Sequence, residues 1–126
     1  MRWNHKLNLQ KCLEDARNEY TTLLSESDID PNQMDDAESN FNQSLADENY
    51  DSSWMIAQDL TQFTPIHTTS FDEHEDESRY FGAIVIIKDK QKGKSLVLDG
   101  NHRFNTVINK YPKMQTFVIL IEGFLP

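Results

Sequence analysis

One segment limits the fold of this 126-residue chain more than any other: Tyr80-Phe81-Gly82-Ala83-Ile84-Val85-Ile86-Ile87-Lys88. Its apolar residues do not alternate with polar ones. A strand of this kind is covered on both faces and belongs in the middle of a sheet. The chain therefore has to supply covering elements for two sides from a length that suits one domain. Asp89-Lys90-Gln91-Lys92-Gly93-Lys94 reads as a turn, and Ser95 to Leu98 reads as the strand that pairs back. Gln115 to Ile121 is a closing strand. Asn101 to Tyr111 places Phe104, Val107 and Ile108 on one helical side and stops at Pro112.

The covering helices are sought upstream. Leu9, Leu13, Ala16, Tyr20 and Leu23 recur at helical steps, so Asn8 to Ser25 is an amphipathic helix broken by Ser25-Glu26-Ser27-Asp28. Asp30-Pro31-Asn32-Gln33 provides a cap, a proline at the first helical position and a Gln where a capping box wants one. Met34, Ala37, Phe41 and Leu45 carry that second helix to about Asp47. Ser52 to Gln62 is expected to be a third, short helix with Trp54, Ile56, Leu60 and Phe63 inward. Ile66 to Phe71 reads as a strand or extended segment, and Asp72 to Glu77 as an exposed acidic loop. Helices first, then strand, hairpin, helix and strand, make an α+β domain.

Charge divides the chain sharply. Met1 to Ser78 holds 18 acids and four bases, a balance of −14, whereas Arg79 to Pro126 holds three acids and eight bases, a balance of +5. Between Arg17 and Arg79 there are sixteen carboxylates and not one Lys or Arg. Such asymmetry suits one surface that repels nucleic acid and another that holds phosphate, or an acidic half that is a solvated face. The longest apolar runs, Ala83 to Ile87 and Phe117 to Ile121, have five residues each, against the roughly 20 of a membrane helix. The N-terminus lacks a signal-peptide apolar region, and the chain is read as cytosolic with no membrane partner. The single cysteine, Cys12, rules out an intrachain disulfide framework and a cysteine-rich zinc site, and is expected to be a small core residue.

The stretch that carries chemistry is Leu96-Val97-Leu98-Asp99-Gly100-Asn101-His102-Arg103-Phe104. An apolar strand ends in Asp-Gly and a helix follows at once. Glycine permits close approach of the backbone to a ligand, and the first turn of a helix favours an anion. Arg103 can add a forked contact, with its guanidinium facing the ligand rather than the core. His102 can act as donor or proton acceptor, and Asp99 can bind a divalent cation or orient a nucleophile. Lys88, Lys90, Lys92 and Lys94 are expected to deepen the positive potential. On spacing alone, the same residues also make an ordinary Asp-Gly turn with Asn101 as helix cap. His67 and His74 lie among carboxylates without a metal-ligand spacing.

The DGNHRF sequence resembles the DG-x-HR signature of the ParB/sulfiredoxin superfamily, over roughly Met55 to Gly123. The resemblance implies a small mixed sheet with a helix after the turn, residues 51–126 as that core, and residues 1–50 as an acidic helical extension within one domain. It also implies that Gly100, Asn101, His102 and Arg103 bind a phosphoryl group of a nucleotide or nucleic acid. Asp99 then sits at the edge of the site, as a catalytic or Mg²⁺-binding residue beside a catalytic His102. A nuclease, phosphatase or kinase-like activity on a nucleoside phosphate follows from that reading. Two departures narrow it. The catalytic cysteine of sulfiredoxins falls at Asn101, which excludes sulfinic-acid repair. The Glu-Arg-Arg arrangement and downstream helix-turn-helix domain of chromosome-partitioning members are missing. Further acidic residues required for catalysis would come from Glu73, Glu75, Asp76 or Glu77 by residue type. The other expectation is a non-catalytic acidic protein that occupies the basic groove of a nucleic-acid-binding partner, as viral and mobile-element counter-defence proteins do.

Overall fold

A computed structural model describes residues 9–65 and 83–126, arranged as α1 (Leu9–Ser25), α2 (Pro31–Ala46), β1 (Asp51–Met55), α3 (Ala57–Leu60), β2 (Thr64–Pro65), β3 (Ile84–Asp89), β4 (Lys94–Asp99), α4 (Asn101–Asn109) and β5 (Thr116–Glu122). The expected strand at Ile66 to Phe71, the acidic loop at Asp72 to Glu77 and the start of the Tyr80–Lys88 strand lie outside the described residues.

The strands form one mixed sheet in the order β1-β5-β3-β4-β2. β3 lies at its centre, antiparallel to β4 and parallel to β5, while β1 runs antiparallel to β5 and β2 parallel to β4. The period-two geometry of a strand sends Val85 and Ile87 to one face and Ile84 and Ile86 to the other, and all four are completely buried. The first pair joins Ala16, Tyr20 and Leu24 of α1, Phe41 of α2, and Ile119 and Ile121 of β5. The second pair joins Leu60 of α3, Phe104 and Val107 of α4, Val97 and Val118. The fold is thus three-layered and α+β, with α1 and α2 covering one face and α3 and α4 the other. Among the described residues, no helix is long and apolar enough to cross a membrane.

Local chemistry explains most of the boundaries. The Asp30 carboxylate accepts the Asn32 N–H at 2.8 Å, and Pro31 opens α2. Gly93 adopts φ +66° in the β3–β4 turn. Asp89, just before that turn, accepts N–H bonds from Gln91 at 3.0 Å, Lys92 at 3.3 Å and Leu125 at 2.9 Å. The Leu125 bond is the largest reason its carboxyl stays below the ordinary range, and it fastens the C-terminal segment to the hairpin. Tyr20 secures the same segment from the other side, its hydroxyl donating to the Phe124 carbonyl at 2.6 Å.

The expected helix over Ser52 to Gln62 is corrected. Asp51 to Met55 is a strand paired with Leu120 to Thr116, and only Ala57–Leu60 is helical. A helix there would have gained a few local bonds. The strand gains a ladder along β5 and an edge-to-face contact between Trp54 and Phe117, with ring centroids 5.3 Å apart.

The packing predicts a graded response in one core. Phe41 is fully buried and lies 4.5 Å, centroid to centroid, from Tyr20. Phe41→Ala should cost about 3–5 kcal/mol through the cavity it leaves. Tyr20→Phe should cost about 1–2 kcal/mol, since it orphans the Phe124 carbonyl but keeps the ring. Equilibrium urea unfolding of the two variants checks the order; equal losses would mean that the hydroxyl anchor matters as much as the ring packing.

Candidate functional site

β4 carries Asp99 to the sheet's edge region and the chain turns immediately into α4. Gly100 makes that turn at φ +87° and ψ +23°, in the left-handed region. A Cβ there would lie 3.0 Å from the Arg103 Nη1 and 3.2 Å from the Cα of Ile84. Conformation and space both demand glycine. The Phe104 N–H returns to the Gly100 carbonyl at 2.7 Å, closing the first turn of the helix.

Asn101 was expected to cap this helix. Gly100 holds the cap position instead, and Asn101 is the first helical residue. Its side-chain amide donates to the Val97 carbonyl at 2.9 Å and is buried. The residue therefore fastens helix to strand. His102 is half-buried on the same turn.

Arg103 differs most from expectation. It is only 6% exposed, and its Nη1 donates to the Ala83 carbonyl at the approach to β3. Its guanidinium lies beneath the turn, facing the protein. Burial lowers its pKa, opposed by the neighbouring Cys12 and Asp99. Asp99 feels the reverse. Burial pushes its carboxyl up to about 6, Arg103 pulls it down, Asp15 of α1 pushes it up, and the Cys12 thiol and Gly100 N–H donate to it and lower it. Cys12 itself is buried, its thiol pKa raised by desolvation.

Four elements thus meet here. Asp99 comes from β4, Gly100 to Arg103 from the α4 turn, Ala83 from the lead into β3, and Cys12 with Asp15 from α1. Cys12 is the core residue that its helical stripe indicates, but its contact with Asp99 has no linear signal, since 87 positions separate residues 12 and 99. The lysines go elsewhere. An antiparallel hairpin puts its turn at the end opposite the strand's exit, so Lys94 is about 16 Å from Asp99 at roughly 3.3 Å per residue. Lys90 instead pairs with Glu122 at 2.5 Å, and Lys92 donates to the Leu125 carbonyl with its ammonium 4.4 Å from the Phe124 ring centroid. His67, His74, Glu73, Glu75, Asp76 and Glu77 lie outside the described residues. Among the described residues, no group of three or more His, Cys, Asp and Glu is placed to hold a metal ion.

Two outcomes follow. Gly100→Ala should cost about 2–3 kcal/mol, because it adds a clash to a left-handed backbone, whereas Gly93→Ala, with no atom within 4 Å of the new Cβ, should cost about 1 kcal/mol. Thermal unfolding of both variants is the check. The second concerns pH. Asp99 has a folded pKa near 6 and an ordinary value of 3.8, so between about pH 4 and 6 the unfolded chain has released a proton that the folded chain keeps. Stability from this group falls as pH rises through that window and is flat above it. Asp99→Asn removes the slope, so the stability of the variant relative to the parent should rise by about 2 kcal/mol from about pH 4 to 7. A constant difference across that range would show that Asp99 titrates normally.

Compared with protein-family models, with curated proteins and with solved structures, the chain matches none.

Proposed function

We propose that the turn from Asp99 to Arg103 binds the phosphoryl group of a nucleotide or nucleic acid, within a domain of ParB/sulfiredoxin type. The observation that supports this reading is the buried Arg103 guanidinium at the mouth of α4, within electrostatic reach of the partly buried Asp99 carboxyl. A turn that served only to reverse the chain would need Gly100 and a cap. It would not need a buried guanidinium beside a partly buried carboxyl, an arrangement that costs stability and clusters at functional sites. The first turn of α4 presents the positive end of the helix dipole.

The residues divide the work as follows. His102, half-exposed, touches the phosphoryl group as donor or general acid–base. Arg103 acts from beneath as a positive charge in a low-dielectric setting, where its potential is little screened. Asn101 positions the turn through Val97. Asp99 would either orient the attacking group or supply one carboxylate to Mg²⁺, an ion that is commonly held by one or two carboxylates and the ligand's own phosphates. That donor set fits a Mg²⁺ arriving with a nucleotide, and the ion would neutralise phosphate charge there. Attack by water makes a nuclease or phosphatase, and attack by a substrate hydroxyl makes a phosphotransferase.

A second reading is favoured by a different observation. α1 and α2 carry exposed Glu14, Asp35 and Asp36, the segments that follow them carry exposed Glu26, Asp28, Asp47 and Glu48, and no Lys or Arg occurs from residue 18 to 65. Both helices cover the same face of the sheet, so the carboxylates they carry lie on that side of the molecule, together with exposed Lys11 and Arg17 of α1. Such a layer suits a basic, nucleic-acid-handling protein partner.

Titration with labelled nucleotides and oligonucleotides, with and without Mg²⁺, scored for binding and turnover, tests the first reading. His102→Ala is the informative variant, since Arg103→Ala would strip Asp99 of its counter-charge and unsettle the fold. His102→Ala should weaken phosphate-bearing ligands about tenfold or more while leaving the melting temperature unchanged. If the parent protein binds none of these ligands, the phosphate reading is wrong.

A further inference from the structure

The four lysines of the β3–β4 hairpin take no part in the turn from Asp99 to Arg103, yet they are the densest positive charge in view. Of the nine Lys and Arg among the described residues, Lys88, Lys90, Lys92 and Lys94 fall within seven consecutive positions. Lys11, Arg17, Arg103, Lys110 and Lys113 are spread over the rest. In a chain of formal charge −9, that concentration is local.

The hairpin presents these ammonium groups outward. Asp89 lies inside the lysine run, but its carboxylate is only 6% exposed and accepts the N–H groups of Gln91, Lys92 and Leu125. Its oxygens fix the shape of the turn. Lys92 is steadied by the Leu125 carbonyl and the Phe124 ring. Lys90 pairs with Glu122, but their side chains are 65% and 64% exposed. Water and salt compete with such a pair, so Lys90 can exchange Glu122 for a phosphate at little cost. Lys94 is exposed and Lys88 half-buried. A Cβ at Gly93 would meet no atom within 4 Å, so the main chain at the tip is open to a ligand.

The strands set the distance from this patch to the α4 turn. Gly100 packs against Ile84, whose Cα would lie 3.2 Å from a Cβ built on the glycine. Lys88 is four residues further along β3 and shares the face of Ile84 and Ile86, which α4 covers. At roughly 3.3 Å per residue, the turn and Lys88 are about 13 Å apart along the strand.

We infer that the hairpin lysines are a second anchoring surface for phosphates, and that the ligand is a nucleic-acid strand rather than a free nucleotide. One strand carries a phosphate about every 3.4 Å, so about five nucleotides cover the gap between the turn and Lys88. A nucleoside phosphate carries its charge at one end and cannot occupy both places. The lysines supply affinity and register without reading sequence, while the turn holds the phosphoryl group that reacts. The inference rests on the phosphate reading of the turn and names the class of ligand.

The test measures binding of a fluorescent dinucleotide and a fluorescent ten-nucleotide single strand to the full chain and two variants. Lys88→Gln/Lys90→Gln/Lys94→Gln removes three charges and keeps Lys92, which holds the C-terminal segment; His102→Ala alters the turn. The parent should bind the longer strand at least about tenfold more tightly than the dinucleotide at low salt. The lysine variant should lose that advantage, bind the dinucleotide as the parent does, and show a salt slope smaller by about 2, at about 0.7 per single-strand phosphate contact. His102→Ala should weaken both ligands. Backbone amide shifts of Gln91 to Lys94 should appear with the longer strand and not with the dinucleotide. Equal affinity of the parent for both lengths, or a lysine variant that binds the longer strand as the parent does, would overturn the hairpin surface and leave the phosphate reading of the turn standing. Binding that needs the lysines but not His102 would overturn the turn reading and with it the two-ended ligand. No binding of either ligand would sink both.

Discussion

Everything in this fold depends on β3 being dry on both sides. Ile84, Val85, Ile86 and Ile87 have no solvent exposure, and a run of four such residues can be satisfied only by a layer above the sheet and another below it. That requirement assigns the helices. α1 and α2 provide one cover, with Tyr20, Leu24 and Phe41 as its large side chains, and α3 and α4 provide the other. It also explains why the acidic helices are bound so firmly to the rest of the chain. They shield half of the central strand, so an acidic exterior and an apolar interior are two faces of the same pair of helices.

The candidate site is a by-product of the same layering. β4 must turn at Asp99 to send α4 back across the sheet, and Gly100 is the one residue that passes through a space bounded by Ile84 and Arg103. Once the chain has turned, Arg103 points inward, where the Ala83 carbonyl accepts from it and Asp99 and Cys12 favour its charge. A buried guanidinium beside a partly buried carboxyl is costly, and the two pKa values respond in opposite directions for the same reason, burial. The hydrogen bonds around them offset part of that cost. The charge of Arg103 is thereby set behind the surface.

Much of this was legible in the linear sequence, and the failures have physical reasons. The uninterrupted apolar run Ala83 to Ile87 announced a central strand, and Asp-Gly between an apolar strand and an amphipathic pattern announced the β4–α4 turn. Asp30-Pro31 fixed the start of α2 through local chemistry alone. Ser52 to Met55 misled because its pairing partner lies more than sixty positions away, and a long-range ladder on β5 outweighed the local pattern. The orientation of Arg103 was equally hidden. A first-turn arginine can reach out or in, and only the backbone carbonyl of Ala83, twenty residues back, decides. The lysines of the β3–β4 turn were close in sequence to Asp99, but antiparallel geometry sends a hairpin's turn and its exit to opposite ends.

The acidic helices and the β4–α4 turn are not independent, and the link between them is Asp15. It sits on α1, one turn beyond Cys12, and its charge raises the Asp99 pKa, while Cys12 touches Asp99 directly. A cation brought to Asp15 from outside opposes that effect. With Asp15 neutralised, Asp99 ionises more readily and its attraction to Arg103 strengthens. The opposite also holds: more negative charge on α1 drives Asp99 toward its neutral form. Lys11 already stands 3.8 Å from Asp15, in an exposed i,i+4 pair whose strength salt will readily screen. The electrostatic state of the turn is therefore set partly by charges on α1. In this fold the two halves of the charge split are separated along the sequence and joined at one carboxylate.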